Sequence, residues 1–250
     1  MKLARDTWLT FQYEVGQLVH SPLAIAATLL NPLTYLVLFT PFLKPVLKAP
    51  TYCDALRTYV PLLFCSMGLF GGLFAGFALV AAVRRGVIGR LRVTPLSRVG
   101  LLLGRELVLV ALIGFQALVI AVVALMLGLR VPPANFLLAL IVLAMMVLLG
   151  VSISYAMALF VPERVLGNLA NGVAQPLSLL AGVLIPLSLA PLWVRRVALW
   201  NPWAWAANGM RSIFEGQVGA QVVWQALLIL AGLATVAVVL SSRLFTREIA

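Results

Sequence analysis

Lysine, histidine, cysteine and acid are all scarce in this 250-residue chain. Lys2, Lys44 and Lys48 are its only lysines, His20 is its only histidine, and Asp and Glu together number 7. None of the lysines sits in a glycine-rich phosphate loop, so the chain carries no Walker-type ATP site. One histidine cannot build a His-based metal cluster, nor a Ser-His pair deep in a membrane. No catalytic and no metal-ligating residue is assigned. The two cysteines, Cys53 and Cys65, read as thiols in apolar surroundings rather than as a disulfide. With Glu106 and Glu163 placed at helix ends, no acid is left inside a span to serve as a proton relay.

What the chain does contain is apolar surface. Hydrophobic residues make up 63% and charged residues 10%, against about 45–50% and about 25% in soluble domains. Water would not tolerate that surface, whereas a bilayer does. Charge-free intervals run from His20 to Lys44, Arg57 to Arg84, Glu106 to Arg130, Arg130 to Glu163, Arg164 to Arg195 and Glu215 to Arg243. Each exceeds the roughly 18 residues that mark a membrane span. The spacing predicts helices over 22–43, 58–83, 107–129, 135–160, 165–186 and 220–242. The fold class is therefore an all-α integral membrane protein of about six transmembrane helices, because helices and closed barrels alone satisfy the backbone in lipid. Residues 1–250 form a single transmembrane domain. The first apolar run starts late, after Asp6 and Glu14, so it is expected to stay in the membrane rather than be cleaved as a signal.

The net charge is +11, and Arg84, Arg85, Arg90, Arg92, Arg98 and Arg105 all fall between the second and third spans. The positive-inside rule puts that loop in the cytoplasm. Six spans then put both termini there too, in a multi-pass protein of the cytoplasmic (inner) membrane. A basic stripe tethered at a membrane gives no reason to expect a nucleic-acid partner.

Four further patterns stand out. Residues 1–21 form an amphipathic interface helix: Trp8, Phe11, Val15, Leu18 and Val19 on one face, Asp6, Thr10, Glu14 and Gln17 on another. It reads either as a membrane-surface anchor or as a docking surface for a cytoplasmic partner. In the second span Gly68, Gly72 and Gly76 make two overlapping GxxxG patterns that admit another helix closely. With Phe70, Phe74 and Phe77 beside them, they suit either packing within the chain or a translocation path or dimer seam. In the fifth span Asn168, Asn171, Gln175 and Ser178 share one face, as helix-to-helix glue or as the wall of a path. Between the fifth and sixth spans, Pro186, Pro191, Trp193, Trp200, Pro202, Trp203 and Trp205 predict short re-entrant or surface helices at a membrane interface.

Together these segments resemble the permeases of the ABC-2 family, the daunorubicin-resistance type of export subunit. The stretch RRGVIGRLRVTPLSRVGLLLGRE, 84–106, resembles that family's loop after the second helix in Gly86, Leu91, Thr94-Pro95, Ser97-Arg98 and Gly104-Arg105. The stretch SLLAGVLIPLSLAPLWVRRVALWNP, 178–202, resembles its fifth helix and outer loop in Gly182, Pro186, Pro191 and Asn201-Pro202. Arg211 falls where the family has an arginine, and Phe245 to Arg247 resembles its basic tail.

The resemblance implies a half-transporter, a homodimer or a pair with a sister permease, driven by separate P-loop ATPase subunits that bind the ATP and Mg. This chain itself would hold no cofactor. Residues 84–98 would be the cytoplasmic coupling loop. Arg84, Arg85, Gly86, Ile88, Arg90, Leu91, Arg92 and Arg98 would form the ATPase-coupling element. Family members commonly carry acids just before the loop glycine, where this chain has Val83, Arg84 and Arg85, which implies a more acidic groove on the partner.

The implied cargo is a hydrophobic or amphiphilic compound, a drug or a lipid, moved across the cytoplasmic membrane. A polysaccharide or lipid-linked glycan is the alternative. An intramembrane enzyme is more distant, because Ser152, Ser154 and Tyr155 have no base beside them in any readable motif, and a passive channel or assembly scaffold is equally distant.

Overall fold

The computed structural model describes residues 2–46, 51–84, 97–183 and 190–248. Among them the chain forms ten helices: α1 Lys2–Val19, α2 Pro22–Val46, α3 Tyr52–Leu73, α4 Gly76–Arg84, α5 Arg98–Met126, α6 Pro133–Phe160, α7 Glu163–Leu180, α8 Leu192–Ala198, α9 Pro202–Phe214 and α10 Gln221–Glu248. Among the described residues five stretches are long and apolar enough to cross a bilayer: Ile25–Phe42, Tyr52–Ala81, Arg98–Met126, Pro133–Phe160 and Gln221–Arg247. They match five of the six expected spans, and the fold is an all-α membrane protein.

The expected fifth span is less apolar than the rest. Asn168, Asn171 and Gln175 dilute α7, which at 18 residues is about 27 Å long. The contacts nevertheless require a sixth passage. At one end of the bundle Asp6 of α1 accepts from the Ser97 N–H, and Arg98 donates to the Thr246 carbonyl of α10. At the other end Arg57 donates to the Arg130 carbonyl, and Asn135 to that of Ile213. The first and last helices thus share one end, so an even number of passages separates them. Between Phe160 and Gln221 the chain must return once, and α7 begins that return.

The core is built around α6, which packs most extensively on α10 and α3. Leu143, Met146, Val147 and Val151 of α6 meet Leu69 and Leu73 of α3 and Leu230 of α10 within one buried cluster. On α2 the distribution is reversed. Leu36 and Thr40 are buried, while Leu23, Leu30, Val37, Leu38 and Phe42 are exposed. Lipid tails are as apolar as leucine, so nothing drives that face inward.

The glycine row accounts for the tightest helix contact. A Cβ on Gly72 would lie 3.0 Å from Gly150 Cα, and one on Gly68 would lie 3.1 Å from Leu143 Cδ1. Directly after this contact the span breaks at Phe74–Ala75, between α3 and α4. Ser154 Oγ donates to the Leu73 carbonyl at 2.5 Å and accepts from the Gly76 N–H at 2.8 Å. A break at membrane depth survives where a neighbouring hydroxyl satisfies the released backbone groups.

Candidate functional site

Two regions carry the expected chemistry, and a third emerges from the fold. The first is the loop joining α4 to α5. Arg85, Gly86, Ile88, Arg90, Leu91 and Arg92 lie outside the described residues, as does the side chain of Arg84. The exit of the loop is described. Ser97 caps α5 by accepting from the Gly100 N–H at 3.1 Å, while its own N–H is held by Asp6 Oδ2 at 2.9 Å. Arg98 reaches α10 through the Thr246 carbonyl at 3.2 Å. One residue step therefore joins the loop to the first helix and to the last.

The second region is where the broken second span meets α7. Phe70, Phe74 and Phe77 are half-buried and form a ladder, with ring centroids 6.4 and 6.0 Å apart. At its foot Phe77 approaches Gly167 of α7, where a Cβ would meet the ring at 3.1 Å. Leu166, Ala170, Ala174 and Ser178 of α7 are buried, whereas Asn168, Asn171 and Gln175 are exposed. The polar row is therefore split. Ser178 donates to the Gln175 carbonyl and Asn171 to that of Gly167, both within their own helix. Asn168 and Gln175 face away from this chain's core. The three glycines of α3 and α4 face α6 of the same chain instead, so the aromatic ladder and the polar row line this region without them.

Beyond α7, residues far apart in sequence come together. Gly182 adopts φ +68°, a left-handed conformation that glycine takes without steric cost. Its carbonyl accepts from Arg211 Nη2 of α9. Asn201 caps α9 through the Trp203 N–H at 3.0 Å and donates to the Leu177 carbonyl at 2.8 Å. The short α8 and α9 are thereby tied back to the end of α7. Trp193 and Trp200 are exposed, while Trp203 is buried, so the tryptophans divide between surface and core.

The third region lies where α1 meets α5, and sequence reasoning missed it. Glu106 was expected at a helix end. Instead α5 starts at Arg98, so Glu106 stands in its third turn with no exposed surface. Its Oε1 accepts from Ser152 at 3.1 Å and faces Ser241 at 3.5 Å, while Oε2 has no partner. Beside it Arg105 is also buried, with Nε and Nη2 both on Glu14 Oε1 at 2.9 and 2.8 Å.

The packing of α1 explains the burial. Its polar residues Asp6, Thr10 and Glu14 turn onto α5, and its apolar Trp8, Leu9, Tyr13 and Val19 turn outward. Gly100 and Gly104 make room: a Cβ on Gly104 would lie 2.6 Å from Thr10 Cβ. Three residues of the polar face thus dock within their own chain, while Gln17 stays exposed. The sequence signal that could have revealed this is Gly100 and Gly104, one turn apart and level with Asp6 and Thr10.

The comparisons with known proteins agree with this architecture. The chain is 26% identical to the daunorubicin resistance ABC transporter permease protein DrrB1 of Streptomyces coeruleorubidus, across 92% of this chain and 82% of that one. It is 24% identical to ycf38 of Cyanophora paradoxa, named for a transport permease, across 80% of this chain and 70% of that one. The family model for the ABC-2 type transporter matches residues 5–214. With five apolar spans among the described residues and a family match over most of its length, this chain belongs to the ABC-2 type transporter family.

Proposed function

We propose that this transport permease is the membrane subunit of an ATP-driven exporter for a hydrophobic or amphiphilic compound, a drug or a lipid. A separate P-loop ATPase supplies the energy by seating on residues 84–98 from the cytoplasm, where both termini also lie. A second permease, identical or a sister, completes the path. The DrrB1 relative, named for daunorubicin resistance, supports a drug-like cargo.

The observation that carries this reading is the junction at Ser97 and Arg98. A push on the loop reaches α5 directly, α1 through Asp6 and α10 through Thr246. The path is drawn along the Phe70, Phe74 and Phe77 ladder and the exposed Asn168, Asn171 and Gln175. An uncovered amide row beside lipid is costly, and a second permease or a wet passage relieves that cost.

The test is hydrolysis and transport in nanodiscs and proteoliposomes. The chain alone is expected to show no ATP hydrolysis, and reconstitution with its ATPase is expected to give ATP-dependent movement of a fluorescent amphiphile. Hydrolysis by a verified single-component preparation would overturn the reading.

A further inference from the structure

The docking of α1 leaves a cavity of about 180 Å³ between α1, α4, α5 and α6. Its lining changes character along its length. One end carries Tyr13, Glu14 and Gln17 of α1 with Arg105 of α5. The wall beyond is apolar, made by Val108, Leu109 and Leu112, the next turns of the same α5 face. From Arg105 to Leu112 the helix advances about 10 Å toward the middle of the bundle. Tyr155 of α6 closes the back; it is only 2% exposed.

Three polar atoms in this lining form no hydrogen bond or ion pair among the described residues. Arg105 spends Nε and Nη2 on Glu14 Oε1 and leaves Nη1 unused. Glu14 leaves Oε2 unused by the same geometry. The hydroxyl of Tyr155, within electrostatic reach of Arg105, Glu106 and Glu14, makes no hydrogen bond among the described residues. The polar atoms sealed without a partner lie elsewhere among the described residues, at Asp6, Glu106, Trp203 and Ser242, whereas these three residues line the cavity, within reach of a ligand that enters it. Water could satisfy the polar end but has no partners along the Val108–Leu112 wall.

Arg105 and Glu14 already neutralise each other, so a ligand that engages their remaining atoms without upsetting that balance offers an anion to Arg105, a cation to Glu14 and a hydrocarbon chain to the wall. We propose that the cavity holds a zwitterionic phospholipid with a primary ammonium, drawn from the leaflet on the side of segment 84–98. Its phosphate lies at Arg105 and Tyr155, its ammonium at Glu14, and the start of one acyl chain lies along Val108, Leu109 and Leu112. An anionic lipid would set an uncompensated negative charge beside Glu14, with Glu106 behind it. A cationic amphiphile would meet Arg105. The assignment does not depend on the cargo of the transporter.

Native mass spectrometry of the purified full chain in mild detergent, with equal phosphatidylethanolamine and phosphatidylglycerol, tests it. One phosphatidylethanolamine per chain is expected to survive, favoured about tenfold, the factor a charge-assisted hydrogen bond confers. Val108→Trp fills the wall and is expected to abolish retention. Tyr155→Phe keeps the ring and its packing, carries the test if the first variant fails to fold, and is expected to lower the preference several-fold. Equal retention of the two lipids by the wild type, as an adventitious or merely hydrated cavity would give, overturns the assignment. So do unchanged retention in both variants and displacement of the lipid by a single-chain cationic amphiphile at equal concentration.

Discussion

Ser154 and Gly76 form the joint of the broken second span: one hydroxyl accepts the Gly76 N–H at 2.8 Å and donates to the Leu73 carbonyl at 2.5 Å. The same closeness forbids a side chain at position 76, where a Cβ would lie 2.7 Å from Ser154 Oγ and 2.8 Å from the Ser154 carbonyl oxygen. The packed glycine row on one side of the break and the Phe74–Phe77 pair on the other thus keep a fixed geometry.

This joint sets a first prediction. Ser154→Ala leaves two buried backbone groups without their partner and is expected to destabilise the protein by about 1–3 kcal/mol for each orphaned group. Gly76→Ala forces backbone apart from backbone and is expected to be at least as damaging. Gly114→Ala, with nothing within 4 Å of its Cβ, serves as the control and is expected to be neutral or slightly stabilising. Midpoints of thermal unfolding in detergent, followed by monodispersity, check all three. Equal midpoints for Ser154→Ala and the wild type would remove the joint from the account.

The clasp between α1 and α5 sets a second. Arg105→Ala strands Glu14, and the loss is expected to be about 2 kcal/mol. That lies below the roughly 3–5 kcal/mol of a fully buried pair, because Glu14 keeps 25% of its side chain exposed and solvent screens it. Undocking should be local, since α1 packs mainly on α5. Hydrogen exchange across residues 6–14 is expected to rise while α6 stays protected. Uniform loss of protection over the whole bundle would mean that Arg105 supports the fold in general rather than this clasp.

On the proposed reading, coupling to the ATPase rests on residues 84–98. Val87, Ile88 and Leu91 fall at helical spacing and would give a short element an apolar contact face, with arginines at its rim. Ile88→Asp with Leu91→Asp is expected to leave expression and membrane insertion unchanged and to abolish co-purification of the ATPase. If the arginines bind anionic headgroups alone, at about 1 kcal/mol each, co-purification and export stay normal in the double variant. That outcome would retire the coupling reading.

The exposed amides of α7 separate transport from stability. Asn168→Leu and Gln175→Leu remove side chains that face away from the chain's own core. Unfolding midpoints of the isolated chain should shift by no more than about 0.5 kcal/mol equivalent, while ATP-dependent movement of a polar-headed amphiphile falls at least several-fold. Full transport activity in the double variant would take this row out of the path.

Much of the molecule was legible in its residues alone. The charge-free intervals delimit the spans because burial of a charge in lipid is prohibitive, and Gly68, Gly72 and Gly76 announce close helix contact because they have no side chain to hold a neighbour off. Arg98, at the exit of the arginine-rich loop, stands at one end of the bundle beside Thr246. Periodicity also divides α1 into a polar and an apolar face. It does not say which face meets protein. In water the apolar face would turn inward, whereas at a bilayer the outward side is itself apolar, so Asp6, Thr10 and Glu14 turn onto α5 and Trp8 turns out.

That inversion, settled by packing alone, carries Arg105 and Glu106 from an expected helix end into the interior. Ser152 and Ser241, from helices remote in sequence, then make the burial of Glu106 tolerable. The partner of Gly76 was illegible for the same reason, since Ser154 lies 78 residues away. Composition decides that these helices lie in a membrane. Which polar atoms meet across them, and which are left for a ligand, depends on contacts that only the assembled bundle brings together.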